Sequence, residues 1–437
     1  MKPNILPPSG FPEFTPAEER VHQLWLRTLE RVYAQYGFAS LSTPVVEREE
    51  NLRAKGGDDK EIYGLRRVLA EDDDETHNGM ALRFDHTVPL ALYIARQQQH
   101  MKFPFLRAAI GPVFRGERAQ KGRYRQFTQA DIDVIGSGSL SPLWDAYCIF
   151  TMYEALRALQ EVTDFGGFRI LINDRRVLSD VLRAHGVAEA ALLRARSVVD
   201  TLEKVPRTVS LTQLQECGCT AAAAEEILML ASQPLEERST ITHPEFRAVC
   251  AALEQLGLEM GTDVQVHLGI ARGLDYYTGT VWEAEALHPQ IKGSIGGGGR
   301  YDDLGETFSG KHLPGVGGSI GVTRLLLQCL EEGVIIPERL LGPVRVLLIP
   351  LGEAETAKML EAIGPLTRAG ITVTPWLKNA KLPKALDYAN AQGYSHAIVL
   401  GEDELAAGLY TLKDLRTGTQ LTLPLEEIAA LFCEEAC

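Results

Sequence analysis

The sequence of 437 residues has no apolar run long enough to span a membrane, and its start, MKPNILPPSG, lacks the pattern of a signal peptide. We therefore expect no membrane partner. Its seven cysteines are odd in number and scattered, which favours reduced thiols in a cytoplasm over a disulfide framework. Cys217 and Cys219 form a C-x-C pair, but no second cysteine or histidine cluster accompanies it, so we expect no metal site there.

The chain also has no excess of positive charge. Its formal net charge is −14, and 45% of its residues are hydrophobic and 23% charged, as in ordinary globular proteins. A chain this acidic does not coat nucleic acid through bulk charge, and DNA is not expected among its partners. An RNA partner would have to be met by local basic patches.

The glycine-rich stretches lack the spacing of both phosphate-binding fingerprints. The run GGGG at 296–299 is followed by no Lys-Ser/Thr pair and matches neither the dinucleotide nor the Walker pattern. Two interpretations stay open for it: a tight strand-to-strand bend, or a floor where a flat ligand meets backbone without side-chain clashes. A second stretch, GVGGSIGVTRLLL at 315–327, is predicted to be a glycine turn that leads into a helix.

The chain does contain a strongly basic segment, FRGERAQKGRYRQFTQADIDVIG at 114–136. Five basic residues and one acid lie between Arg115 and Arg125, and the flanking apolar residues predict two strands joined by a basic loop. Arg offers a planar fork of donors that suits phosphate. Asp131 and Asp133 alternate on the outgoing strand, so they should face the same side. From charge alone, an anion site and a solvated basic hairpin are equally acceptable interpretations.

Local signals place several further elements. Pro16-Ala-Glu-Glu is predicted to open a helix that ends near Tyr36, and a strand follows from Phe38. Another short strand is predicted to end at 83–87, after which Pro89 opens a helix.

The order of predicted elements divides the chain into four segments. Residues 1–174 are the first part of a core, and residues 175–256 are helix-rich with no strand pattern, as in a helical insertion. Strands resume in 257–335. After a linker at 341–343, residues 343–437 alternate between strands and helices, which is typical of a small α/β domain.

These pieces resemble one family, in order, over essentially the whole chain. YGFASLSTPVVE is similar to motif 1 of class II aminoacyl-tRNA synthetases, the basic segment to motif 2 and 315–327 to motif 3. ARGLDYYTGTVWE and GGGGRYDDL resemble stretches specific to histidyl-tRNA synthetases, and GEDELAAGLYTLKDLRTGTQ resembles their anticodon-binding domain. The resemblance implies an α+β core, with an antiparallel sheet flanked by helices, plus a helical insertion and a C-terminal α/β anticodon-binding domain.

The resemblance also implies an activity. A cytoplasmic histidine–tRNA ligase would activate L-histidine with ATP and transfer it to the 3′-terminal adenosine of tRNA(His). Mg²⁺ would accompany ATP, held mainly by its phosphates. Pro44 of motif 1 belongs to a dimer interface in the family, which implies a homodimer.

Site residues are carried over by the same resemblance, and no metal-ligating residue is among them. Arg115 and Arg272 would be catalytic, because they would face the α-phosphate from two sides. ATP would be bound by Arg115, Glu117, Arg123 and Arg324. L-Histidine would be bound by Asp85, Thr87, Gln129, Asp133, Arg272, Tyr276, Tyr277 and Tyr301. Neutral imidazole has one donor and one acceptor, so a carboxylate and a phenol such as Asp133 and Tyr277 can satisfy both nitrogens.

Three positions depart from the family pattern. Thr323 precedes Arg324 where the family usually has an acid, and His86 and Thr128 replace more familiar residues; we interpret His86 as a core histidine. Two alternatives remain. The regulatory subunit of ATP phosphoribosyltransferase typically loses ATP-site arginines and lacks the C-terminal domain. Another class II synthetase, of threonyl or glycyl type, is disfavoured by the histidine-specific stretches.

Overall fold

The computed structural model describes residues 5–54, 61–67, 79–202, 205–235, 241, 243–270, 277–302, 304–337, 340, 344–378 and 381–434. Contacts within the chain divide it into two compact units, Met1–Pro337 and Glu338–Cys437. The predicted linker at 341–343 lies outside the described residues.

The first unit alternates helices with short and long strands. In chain order its described elements are α1 (Pro16–Gln35), β1 (Ala39–Ser40), β2 (Val46–Arg48), α2 (Glu49–Ala54), β3 (Met80–Leu82), α3 (Thr87–Gln97), β4 (Phe105–Phe114), β5 (Gln126–Ile135), α4 (Leu143–Val162), β6 (Phe168–Asp174), α5 (Arg175–Ala184), α6 (Leu192–Asp200), α7 (Arg207–Glu216), α8 (Ala221–Ser232), α9 (Pro244–Gln255), β7 (Val264–Val266), β8 (Thr280–Ala286), β9 (Ser294–Tyr301), α10 (Leu304–Ser309), β10 (Gly315–Gly321) and α11 (Val322–Glu331).

Eight of these strands form one sheet in the order β1-β4-β5-β10-β9-β8-β6-β7. The six central strands pair antiparallel, which confirms the predicted core sheet. The outer pairs β1–β4 and β6–β7 are parallel, so the sheet is mixed at both edges. A parallel pair needs a long crossover, and the helices α5 to α9 provide it between β6 and β7.

The basic segment forms the predicted pair of strands, because β4 and β5 are antiparallel from end to end. Helix α1 begins where its signals indicate. Thr15 and Glu18 form a reciprocal capping box, and Pro16 occupies the first turn. The helix packs on α4, where the indole N–H of Trp25 donates to the hydroxyl of Thr163 at 2.7 Å.

Three local predictions are wrong. Helix α3 begins at Thr87 and not at Pro89, because the carboxylate of Asp85 accepts the first free N–H groups of the helix. The strand predicted from Phe38 is split into β1 and β2, which belong to different sheets. The interpretation of 296–299 as a bend is wrong because the stretch lies inside β9, and the turn predicted at Gly315 is wrong because β10 begins there; the alternative interpretation of 296–299, a backbone floor for a ligand, is not contradicted.

The helix-rich segment has its own apolar cluster, which runs from Leu178 to Ala231 and includes the buried Cys217 and Cys219. Both cysteines pack there as small apolar side chains. The last helix of the segment, α9, packs instead against α4 of the sheet region.

The second unit is an α/β domain, as predicted. Its described elements are β11 (Arg345–Pro350), α12 (Glu353–Arg368), β12 (Thr372–Pro375), α13 (Leu382–Ala391), β13 (His396–Leu400), α14 (Glu402–Ala407), β14 (Tyr410–Asp414), β15 (Gln420–Leu423) and α15 (Leu425–Glu434). The sheet order is β12-β11-β13-β14-β15, with β12, β11 and β13 parallel. Helices α14 and α15 were not predicted. Across the described parts of both units, every helix is too short or too polar to cross a bilayer.

Candidate active site

A cavity of about 600 Å³ lies against one face of the large sheet. Asp131 and Asp133 of β5 both line it, so the alternation along that strand predicted their common side correctly. The register places Arg107 of β4 on one side of Asp133 and Gly317 of β10 on the other. Residues of β5, β8, β9 and β10 line the cavity, and β4 lies beside β5 in the sheet without lining it.

Segments far apart in the chain meet around this cavity. It is lined by ten of the residues that the sequence singled out, namely Asp85, Thr87, Arg115, Glu117, Arg123, Gln129, Asp133, Tyr277, Tyr301 and Arg324. The other two, Arg272 and Tyr276, lie outside the described residues.

Glycines in β9 and β10 leave space for the side chains that surround the cavity. A Cβ atom on Gly317 would lie 2.3 Å from Oδ1 of Asp133, and one on Gly299 would lie 2.6 Å from Cδ1 of Tyr277. Neither glycine has a positive φ. The glycines are therefore required for close approach and not for a turn, and Gly296 and Gly297 line the cavity with backbone alone.

Three aspartates line the cavity, namely Asp85, Asp131 and Asp133. Asp133 is buried between two donors: Nη1 of Arg107 lies 2.7 Å from its Oδ2, and the hydroxyl of Tyr301 donates to its Oδ1. Burial raises the pKa of Asp133, and Arg107 opposes that rise. Burial also raises the pKa of Asp131, to about 6, against the lowering effect of Arg107.

The start of α3 forms part of the cavity wall, through Asp85, Thr87 and Val88. Oδ1 of Asp85 accepts the backbone N–H groups of Thr87 at 3.0 Å and Val88 at 3.1 Å, which fixes the carboxylate at the mouth of the helix. His86 points away from the cavity and is buried. Burial and the charges of Arg107 and Arg83 lower the pKa of His86 to about 4. The imidazole is therefore neutral, and its Nε2–H donates to the carbonyl oxygen of Gly111 at 3.2 Å. His86 is a core histidine, as interpreted.

Three arginines also line the cavity, namely Arg115, Arg123 and Arg324. The guanidinium of Arg115 stacks over Phe84, with 4.4 Å to the ring centroid, and over Phe127 at 5.2 Å. Nη1 of Arg123 lies 3.2 Å from Oε2 of Glu117. The hairpin is thus folded onto the sheet and is not merely a solvated loop.

Arg324 reaches the cavity from the first turn of α11. A Cβ atom on Gly293 would lie 2.7 Å from Nη2 of Arg324, so this glycine leaves room for the arginine. Thr323 is buried, and its hydroxyl accepts the backbone N–H of Thr128 at 2.8 Å. Thr323 therefore ties α11 to β5, which gives this departure from the family pattern a structural role.

Among the residues that line the cavity, Asp131, Glu283 and Ser319 were given no role by the sequence. Arg107, which contacts Asp133 without lining the cavity, was missed as well. Arg107 had a signal in the sequence, because it is a charge at a strand position flanked by apolar residues in FLRAAIGPVF. A charge there has to be paired if the strand is buried. The sequence alone did not show that β4 lies inside the sheet.

Comparisons with known proteins agree on one family. The family model of histidyl-tRNA synthetase matches residues 10–325, and that of the anticodon binding domain matches residues 345–435. The histidine–tRNA ligase of Nostoc sp. is 36% identical over 98% of this chain and 97% of its own length. That of Micrococcus luteus is 37% identical over 94% of this chain and 93% of its own.

Solved structures show the same similarity. The crystal structure of histidyl-tRNA synthetase from Nostoc sp. has a TM-score of 0.85 and 34% identity, with 99% of this chain and 100% of that chain covered. A Bacillus halodurans structure described as an ATP phosphoribosyltransferase regulatory subunit/histidyl-tRNA synthetase shares the fold, with a TM-score of 0.71 at 19% identity over 92% of this chain and 99% of that chain.

Proposed function

This chain belongs to the histidyl-tRNA synthetase family, and on that premise we propose that the cavity over β5, β8, β9 and β10 is where L-histidine and ATP react. The chain is a histidine–tRNA ligase of class II. It forms histidyl-adenylate and pyrophosphate from histidine and ATP, and then transfers histidine to the 3′-terminal adenosine of tRNA(His). The regulatory paralogue of ATP phosphoribosyltransferase is not supported.

One observation supports the assignment of the site: a single cavity holds both carboxylates and guanidinium groups. It is lined by the carboxylates of Asp85, Asp131 and Asp133 and by the guanidinium groups of Arg115 and Arg324. Histidine with its α-ammonium group and ATP with its phosphates need groups of both charges in one site. This combination supports the roles that the resemblance implies for these residues.

Histidine would bind beside the aspartates of the cavity. Asp85, Thr87 and Gln129 would receive its α-ammonium group, while Asp133 and Tyr277 would bind the two imidazole nitrogens beside Tyr301. Both Asp133 and Tyr301 are buried, and their hydrogen bond fixes the direction of the carboxylate. A phenylalanine or leucine side chain would leave these buried polar groups unpaired, so the site would reject it strongly.

ATP would bind beside the arginines of the cavity. Arg115 would hold the α-phosphate, Arg324 would stack on adenine and meet the outer phosphates, and Glu117 with Arg123 would complete the ATP site. Arg272, outside the described residues, would approach the α-phosphate from the other side. The histidine carboxylate attacks the α-phosphorus while pyrophosphate leaves, so no covalent enzyme intermediate is needed. Catalysis then consists of orientation and stabilisation of charge on the α-phosphate.

The donor set fits a magnesium ion that arrives with ATP. Within the described ranges, no cluster of three or more His, Cys, Asp or Glu residues can hold a metal ion. Mg²⁺ prefers phosphate and water oxygens plus one or two carboxylates. Glu117 and Glu283 are two carboxylates that line the cavity. The ion would neutralise phosphate charge, and the protein would contribute at most one of these carboxylates.

The remaining assignments belong to this proposal as well. We expect a cytoplasmic homodimer through motif 1, with residues 1–174 and 257–335 as catalytic core, 175–256 as helical insertion and 343–437 as the domain that binds the anticodon of tRNA(His).

Histidine-dependent exchange of pyrophosphate into ATP tests the site and its specificity. We expect exchange with histidine and with no other member of a twenty-amino-acid panel. Exchange with threonine or glycine instead would overturn the histidine pocket. If a folded protein bound histidine without any exchange, the cavity would not be an activation site.

A further inference from the structure

Arg107 lies in the sheet directly beside Asp133 without lining the cavity itself, and the family resemblance gives it no role. It is in the middle of β4 and is 0% exposed. A buried guanidinium group is costly unless its charge is paired and its N–H groups find acceptors. The reason for an arginine at this position has to lie in its partners.

Its first partner is Asp133, which lies directly opposite in the antiparallel register of β4 and β5. Nη1 of Arg107 is 2.7 Å from Oδ2 of Asp133, and both side chains are buried. Its second partner is the carbonyl oxygen of His86, which accepts a bond from Nη2 at 3.1 Å. His86 stands between Asp85 and Thr87 at the start of α3.

The guanidinium group of Arg107 therefore connects Asp133 with the segment 85–87. Asp133 would bind the imidazole ring, and the segment 85–87 would bind the α-ammonium group. The planar fork of Arg allows both bonds at once, whereas an ammonium group on a flexible stem acts as a point charge. A rigid connection between Asp133 and this segment sets the distance between the groups that read the two ends of the amino acid.

We infer that Arg107 is a positioning residue for histidine recognition: it keeps Asp133 an oriented carboxylate and fixes the segment 85–87 relative to it. The inference rests on the proposed function of the cavity. Arg107 does not touch substrate in this role, and it acts through Asp133 and through the backbone of His86.

The ionisation of Asp133 depends on this contact. Its neighbours are Arg107 on β4, Asp131 on β5, Tyr301 on β9 and Cys148 on α4, while β10 presents only Gly317. Arg107 is thus the cation of this set. Without it, burial and Asp131 would raise the pKa of Asp133 further, and the protonated acid would no longer be the acceptor that an imidazole N–H requires.

The test is pyrophosphate exchange by Arg107→Met across pH 6 to 9. We expect the KM for histidine to rise on the order of tenfold or more near neutral pH, with a much smaller change in the KM for ATP. The histidine KM of this variant should fall as pH rises, because Asp133 ionises again. A histidine KM equal to that of the unmodified chain, or equal increases in both KM values at every pH, would overturn the inference.

Two further variants separate positioning from folding. Arg107→Lys retains the charge but cannot make both bonds, so its histidine KM should rise without a new pH dependence; an unchanged KM here would overturn the bridging role, even if Arg107→Met did not fold. Arg169→Met is the matched control, because Arg169 pairs with Glu285 across strands of the same sheet away from the cavity. It should leave both KM values unchanged. Failure of the proposed function would appear separately, as absence of histidine-dependent exchange in the unmodified chain.

Discussion

At the scale of single residues, the cavity floor holds charges that water would otherwise solvate. Asp131 is 5% exposed and Asp133 4%, and the charge of buried Arg107 acts on both. Asp131 also interacts with Arg83 and Arg115, so arginines offset part of the cost of burying the two carboxylates. Such groups cost stability in the free protein, as is common where a site is prepared for a ligand.

Asp131 allows this cost to be measured. Burial raises its pKa from 3.8 to about 6, so the folded chain holds a proton that the unfolded chain has already lost between these pH values. The contribution of Asp131 to stability is therefore most favourable below about pH 4 and is lost as pH rises to about 6. The loss amounts to about 3 kcal/mol, from 1.36 kcal/mol per pKa unit.

We expect Asp131→Asn to be more stable than the unmodified chain at pH 7.5, by up to about 3 kcal/mol, with the difference shrinking toward pH 4.5. Denaturant unfolding at the two pH values measures the free energies. A difference that stayed the same at both pH values would show that Asp131 does not titrate between them.

The sequence predicted some of these site residues and not others. Asp133 and Arg115 were accessible because alternation and charge marked them and the family motif assigned them roles. Arg107 was not, because its importance comes from the register that sets it opposite Asp133 and from the bond to His86, which is 21 residues away in the chain. A single sequence does not contain that register.

At the scale of elements, the strand pair of the basic segment was predicted and the glycine strands were not. Glycine is unfavourable in isolated strands, so local reasoning favoured a bend and a turn for β9 and β10. Both strands form because each is paired on two sides in the sheet. Glycine is needed at Gly317 and Gly299 because a Cβ there would clash with Asp133 or Tyr277. Tertiary pairing thus outweighed local propensity.

Gly317→Ala tests that requirement. The added Cβ would come 2.3 Å from Oδ1 of Asp133 and 2.5 Å from the carbonyl oxygen of Ile132, so the carboxylate has to move. We expect a loss of about 1–3 kcal/mol in stability, as for other overpacked sites, together with a higher KM for histidine in pyrophosphate exchange.

Gly64→Ala is the control for this substitution. A Cβ there would meet nothing within 4 Å, and Gly64 has no positive φ. It should leave both the unfolding free energy and the exchange kinetics unchanged. If Gly317→Ala behaved like Gly64→Ala, the glycine would not be needed to seat Asp133.

At the scale of the whole molecule, the chain combines a unit that holds the cavity with a separate α/β unit. Every described residue that lines the cavity belongs to the unit Met1–Pro337. The anticodon-binding family model matches only the second unit, Glu338–Cys437. The order of motifs along the chain predicted this arrangement, because motif order can be identified in a sequence even where the exact ends of helices and strands cannot. The two steps of the reaction should therefore depend on the units differently.

A chain that ends at Pro337 separates these two steps. Histidine activation needs only the cavity, so pyrophosphate exchange should stay close to that of the full chain. Charging of tRNA(His) should fall in kcat/KM on the order of a hundredfold, which corresponds to about 3 kcal/mol of lost contacts with the tRNA. Parallel assays of exchange and of charging on both chains measure the difference. Full charging by the shortened chain would remove the second unit from tRNA recognition, whereas loss of exchange in a folded chain would mean that the cavity depends on that unit.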